Sequence, residues 1–262
     1  MKPYVKRQKN DAADAEAICE AVTLPSMRFV SIKSAERQRV LMLHRTRDLL
    51  MRQRTMLLNA ARAHLVEFGI ITAQGPHRIL DLIKDIRIGE VPGLPEIAGA
   101  ALEGLATQLD NLAGEIRRLE RRLMGWHRAD ESSQRLETIP GVGILTATAL
   151  AASVPDPSVF KSGREFAAFL GLVPRQNSSG GKDRLGRISK MGDGYLRRLL
   201  VVGVTSVVRR AGGNTSATGA WMRSLLERKP ARVVTVAVAN KNARIAWAVL
   251  TRCETYRAPM AA

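Results

Sequence analysis

The sequence is poor in cysteine, in aromatic residues and in acid. Two cysteines, Cys19 and Cys253, in 262 residues exclude a disulfide framework and a four-cysteine zinc site. Aromatics make up 4%, too few for the platforms on which RNA-recognition and single-strand-binding folds stack bases. No apolar run reaches the roughly 20 residues of a membrane span, and the segment MKPYVKRQKNDAADAE lacks the apolar stretch of a signal peptide. The expectation is a cytoplasmic, nucleoid-associated protein with no membrane partner.

What is present is positive charge on a foldable chain. Lys and Arg number 41 against 24 Asp and Glu, a net +17, while 45% of residues are apolar. A basic tail without a core is excluded, and a polyanion, most simply duplex or branched DNA, is the expected partner. The charge is uneven: residues 1–70 carry +6, 71–135 carry −1 and 136–262 carry +12.

Periodicity reads as helix nearly throughout. Asn10 or Asp11 suits the cap of a helix near residues 12–21, and residues 28–32 read as a short extended stretch. From Ser34 a long helix is expected to reach Phe68, with Leu43, Leu50 and Leu57 at heptad spacing, Leu49 and Met56 beside them, and arginine rows on other faces. Breakers at 75–76 and 89–95 bracket a short helix. Leu102, Leu105, Leu109, Leu112, Ile116, Leu119 and Leu123 then step by 3,4,3,4,3,4, a coiled-coil seam. It suits an antiparallel hairpin within the chain and a dimer interface equally.

Residues 139–143, Ile-Pro-Gly-Val-Gly, followed by a helix of small residues, resemble the helix-hairpin-helix motif. Pro140, Gly141, Val142 and Gly143 would bring backbone N–H groups and a helix N-terminus to a DNA phosphate. An ordinary glycine turn between packed helices is the plain alternative. Farther on, Ser162 can cap a helix 163–170 whose Phe166 and Phe169 face a core. Residues 172–192 then read as a long loop with Ser178 and Ser179 on a flexible Gly180-Gly181 backbone, among Arg175, Lys182, Arg184, Arg187 and Lys190. A serine among cations can attack a phosphodiester if the cations stabilise the developing charge; a serine-glycine turn in a DNA-contacting loop is the simpler reading. Asp193 caps a helix 194–210, and helices near 219–228 and 231–252 follow.

The order of these segments resembles the IS110 family of insertion-sequence transposases, which includes the pilin-gene invertase. The block from Ile139 to Leu200 carries the resemblance most specifically. It implies a mainly α protein: a remnant of an α/β RuvC-like nuclease domain (1–33), a coiled-coil region (34–130) and a C-terminal transposase domain (131–262) with the helix-hairpin-helix turn and the serine loop. It implies a transposase, or site-specific recombinase, that cuts and rejoins DNA through Ser179, with Ser178 as the fallback. It also implies Mg2+ on an acidic site, a structured guide RNA, and a homo-oligomer, dimer or tetramer. Asp11 and Asp14 match the family's last metal-binding pair; three apart on a helix, they share one face, although acids in a first turn also complement the helix dipole. Ten residues precede Asp11, so the strands bearing the family's first Asp and its Glu are expected to be missing, making this an N-terminally shortened copy with an incomplete metal site. The alternative is a non-catalytic helix-hairpin-helix DNA-binding protein, or a regulator of the full-length transposase.

Overall fold

Two helices of more than thirty residues dominate the first half of the chain, in a computed structural model that describes residues 11–24, 32–73, 75–91, 93–182, 184–213 and 215–258. The described residues form ten α-helices and one two-stranded sheet, a mainly α architecture. No helix among them is long and apolar enough to cross a membrane. The chain divides into two compact units, 1–32 and 33–262. In the first, the described element is α1, Asp11–Thr23. The extended stretch expected at 28–32 lies outside the described residues except for Ile32.

The second unit opens with α2, Ala35–Glu67, whose Ser34 hydroxyl accepts the Arg37 N–H. Helix α3, Pro76–Arg87, leads to α4, Glu96–Ala129. Helices α2 and α4 pair antiparallel within the one chain. The Trp126 indole N–H donates to Glu36 at one end. Arg47 binds Glu120 further along, and Leu58, Ala61 and Leu65 pack with Leu102, Ala106 and Leu109 at the other end.

Most of the expected seam is buried on α4, while on α2 the buried stripe is rotated slightly from the leucine row. On α4, five of the seven seam residues, Leu102, Leu109, Ile116, Leu119 and Leu123, are buried together with Ala106 and His127, while Leu105 and Leu112 are half-buried. On α2 the buried residues are Val40, His44, Leu58, Ala61 and Leu65; Leu43, Leu50 and Leu57 flank them half-buried, and Leu49 and Met56 are exposed. Leucine spacing therefore found the seam of α4, and on α2 it fell to one side of a buried stripe that includes His44 and Ala61.

The remaining helices build the main core. Helices α5, Glu131–Glu137, and α6, Ile144–Ser153, are joined by the turn 138–143. After α7, Gly163–Phe169, come strands β1, Pro174–Gln176, and β2, Leu185–Ile188, then α8, Gly194–Arg209, α9, Ala217–Arg228, and α10, Ala231–Arg252. Side chains of α6, α7, α8 and α10 supply most of a single apolar cluster that includes Leu150, Phe166, Leu200 and Val238. Phe166 is fully buried, but Phe169 is 38% exposed, its ring against that of Phe160; only one of the two expected core phenylalanines is enclosed. The caps expected at Ser162 and Asp193 are present, the Ser162 hydroxyl accepting the Glu165 N–H and Asp193 those of Tyr195 and Leu196; Asn10 lies outside the described residues, and Asp11 is the first residue of α1.

Candidate functional site: the glycine turn and the serine hairpin

The segment read as a long loop is a β-hairpin. Strands β1 and β2 pair antiparallel, Asn177 donates its N–H to the Arg184 carbonyl, and Ser179 bridges Lys182 across the tip. Gly180 and Gly181 both have positive φ, 59° and 75°, as a two-residue type I′ turn requires. The Gly-Gly pair therefore tightens the tip where flexibility was expected.

This geometry separates the two serines. The Ser178 hydroxyl accepts from the Arg184 N–H at 3.2 Å and from the Gln176 side-chain amide at 3.1 Å, so it holds the hairpin together. Ser179 is exposed at the tip, and its hydroxyl makes no hydrogen bond among the described residues. Lys182, Arg184 and Arg187 are also exposed on this hairpin. Arg175 is occupied, its guanidinium donating to the Ser189 carbonyl at the hairpin base, and exposed Lys190 adopts a positive φ of 55°.

The Ile-Pro-Gly-Val-Gly turn is anchored from below. The Val142 side chain is buried in the core, so only its backbone is available to a ligand. Gly141 has φ +86°, and a Cβ there would press at 3.0–3.1 Å against Val204 and Val207 of α8. A Cβ on Gly203 of α8 would in turn overlap the Gly141 carbonyl. The glycine at 141 is thus required by packing on α8, whatever else approaches it. Pro140 and Gly143 are exposed, and Gly143 caps α6 without any side-chain hydrogen bond. The outward face of the turn is a helix N-terminus with uncapped N–H groups, the arrangement that suits an anion.

Two asparagines that sequence reasoning missed tie both motifs to one helix. Asn242 of α10 donates to the Pro140 carbonyl at 2.7 Å, and Asn240 donates to the Leu172 carbonyl, before β1, at 3.1 Å. The signal was the polar run Asn240-Lys241-Asn242 interrupting an otherwise apolar helix. A third missed contact joins the long hairpin to α8. His44 is buried, with Nδ1 3.0 Å from the Tyr195 hydroxyl and Nε2 3.0 Å from the Thr148 hydroxyl. Beside it Arg198 pairs with Asp48 and lies over the Tyr195 ring. Burial, with Arg47 adding repulsion, lowers the His44 pKa to about 4, and burial raises that of Tyr195.

Asp11 and Asp14 stand in the first turn of α1, three apart on one helix. No group of three His, Cys, Asp or Glu that could hold a metal occurs among the described residues. Two carboxylates suit Mg2+, which takes one or two from protein and completes its shell with water and substrate phosphate.

A basic helical domain with a serine at the tip of a cationic hairpin has clear relatives. Residues 133–220 match the transposase IS116/IS110/IS902 family. A Pseudomonas aeruginosa protein named "probable family 20 transposase" is 50% identical over 258 residues, 98% of this chain and 76% of its own. The transposase for insertion sequence element IS1111A of Coxiella burnetii is 44% identical over 257 residues, 98% of this chain and 71% of its own. That for element IS1328 of Yersinia enterocolitica is 42% identical over 255 residues, covering 96% and 75%. The class is therefore insertion-sequence transposase, a DNA recombinase. Within it, the chain belongs to the IS116/IS110/IS902 family.

Proposed function

We propose that this transposase cuts and rejoins DNA through the Ser179 hydroxyl. The observation that carries the reading is the division of labour at the hairpin tip: Ser178 is held by Gln176 and Arg184, and Ser179 projects beside Lys182 with its hydroxyl unbonded among the described residues. In the reaction, Ser179 Oγ forms a bond to a backbone phosphorus as the P–O bond to a deoxyribose oxygen breaks. That oxygen departs as a hydroxyl, taking up the proton the serine gives up. Attack by a hydroxyl of another DNA end reverses the step and releases the serine. One phosphodiester replaces another, so no external energy source is needed. Lys182, Arg184 and Arg187 stabilise charge on the phosphoryl oxygens.

The turn at 140–143 sets the register of the DNA by binding a backbone phosphate. Helix α8 acts as the ruler, because it carries the turn near Gly203 and follows the serine hairpin at Tyr195. At 1.5 Å per residue these points lie about 12 Å apart along the helix. Asp11 and Asp14 are the residues that would hold Mg2+, which supplies Lewis-acid stabilisation of phosphate charge when bound. Sequence choice falls to a structured guide RNA, and the working form is a homo-oligomer.

The test is a covalent adduct. The full chain is incubated with its element's junction DNA, guide RNA and Mg2+, then run on a denaturing gel. Ser179→Ala is expected to abolish the adduct and Ser178→Ala to retain it at reduced yield; equal adduct from Ser179→Ala would falsify the assignment. DNA affinity that falls steeply with salt, with no adduct from the unmodified chain, would instead support a binding-only protein.

A further inference from the structure

A wide groove in the second unit lies apart from the tip of the serine hairpin. It encloses about 1500 Å³ and is walled by α10, the start of α7, Trp221 of α9 and residues 186–188 of β2, toward the hairpin base. Its floor is apolar, with Val233, Val236 and Ala237. Arg164, Arg187, Arg232, Lys241 and Arg244 line it, and no acidic residue does so among the described residues. None of these five cations forms a salt bridge among the described residues. Lys241 has its ammonium 4.7 Å above the Trp221 ring and 3.2 Å from the Thr218 hydroxyl.

Two of the chain's three tryptophans, Trp221 and Trp247, line this one groove. The low aromatic content of the chain therefore hides a local concentration. Trp247 is fixed by donating its indole N–H to the Pro157 carbonyl. The groove exceeds the roughly 300–1,000 Å³ of a typical small-molecule site. A duplex keeps its base faces stacked inside and offers only phosphates and groove edges, so it would leave an apolar, indole-bearing floor unused. An unpaired strand carries both complements at once: phosphates for the arginines and exposed base faces for the floor and the indole.

We propose that this groove binds an unpaired strand of nucleic acid, distinct from the duplex held at the glycine turn and the serine hairpin. Arg187 of β2 lies at the junction of the two. The inference rests on the transposase reading only in that the chain handles nucleic acid; it does not depend on Ser179 chemistry.

The full chain is titrated with labelled oligo-dT and oligo-rU, with blunt duplex and poly-glutamate as competitors and tryptophan emission as a second readout. Both oligonucleotides are expected to bind and to quench emission, with the quench reduced in Trp221→Phe. Arg232 and Arg244 are exposed on α10, so Arg232→Gln/Arg244→Gln keeps the fold, which a thermal melt checks. This double variant should weaken oligonucleotide binding about tenfold and lower the slope of log K against log salt by about 1.4, two contacts at roughly 0.7 each. Lys182→Gln/Arg184→Gln should weaken oligo-dT binding less than the α10 pair does and leave the tryptophan quench at saturation unchanged, which separates this site from the hairpin. Tighter oligo-rU would mark the natural occupant as RNA, and tighter oligo-dT as an opened DNA strand. Unchanged binding by Arg232→Gln/Arg244→Gln, equal competition by duplex, or displacement by poly-glutamate as effective as by oligonucleotide overturns the proposal.

Discussion

Asn242 of α10 hydrogen-bonds the carbonyl of Pro140 across 2.7 Å, and that one contact fixes the glycine turn to the last helix of the protein. Asn242 is buried, so removing it leaves the Pro140 carbonyl without that donor. Asn242→Ala should cost about 1–3 kcal/mol of stability. Asn242→Asp should cost more, because it sets a carboxylate against a carbonyl oxygen in a buried site. Urea denaturation of the three proteins gives the order directly, and a stability of the Asp variant equal to that of the parent would contradict the contact.

The second constraint on the same turn is steric. A methyl at Gly203 overlaps the Gly141 carbonyl, so Gly203→Ala must push the turn off α8. A loss of about 1–3 kcal/mol is expected, as for other overpacked sites. A methyl at Gly104, in the middle of α4, would meet nothing within 4 Å, and Gly104→Ala should gain about 0.5–1 kcal/mol through helix propensity. Opposite signs for two identical substitutions in two helices distinguish packing from propensity in a single set of thermal melts.

His44 makes stability depend on pH. The Thr148 hydroxyl donates to the Ile144 carbonyl at 2.7 Å, so it accepts from His44 Nε2–H, and His44 Nδ1 accepts from the Tyr195 hydroxyl. This chain of donors has room for a neutral imidazole only. With the folded pKa lowered to about 4 from an unfolded value near 6.5, the unfolded chain binds the proton first as pH falls. Stability from this residue is therefore fully present above about pH 6.5 and is lost as pH falls toward 4, by roughly 3 kcal/mol at most. The difference in unfolding free energy between the parent and His44→Gln, measured from pH 7 to 4.5, should shrink across that window. A constant difference would show that His44 does not titrate differently in the two states.

Element boundaries were legible because their punctuation is local. Ser34, Ser162 and Asp193 cap helices through bonds made within three residues, and a reader of sequence sees both partners together. The site was legible in part for the same reason. The serine pair, the glycines and the cations lie in one short run, but their hairpin geometry depends on a register between residues 174 and 188 that a glycine-rich stretch does not announce. What was hidden is long-range. The bonds from His44 to Thr148 and Tyr195 span 104 and 151 positions. On α2 the leucine row lay beside the buried stripe, because leucine spacing does not register a polar residue such as His44 that is buried for its long-range bonds. Nor does composition show that two tryptophans scattered along the chain meet in one groove.

At the joint between α4 and α5, His127 lies between Ser133 and Glu137, with Nδ1 2.8 Å from the serine hydroxyl and Nε2 2.8 Å from the carboxylate. The residue types are those of a hydrolase triad, but Ser133 is fully buried and sits in the first turn of α5, where its N–H donates to Asp130 at 2.6 Å. No substrate reaches that hydroxyl, so the trio is a clasp that fixes how α5, and with it the glycine turn, leaves the long helix. Ser133→Ala should cost about 1 kcal/mol, one neutral hydrogen bond. His127→Ala should cost about 2–3 kcal/mol, since it leaves both partners unmatched and opens a cavity. Both variants should retain the Ser179 adduct at temperatures where they remain folded, and a serine-reactive fluorophosphonate should leave Ser133 unlabelled in the native protein. Labelling of Ser133 by that reagent would mean that the clasp opens and that its hydroxyl is reachable after all.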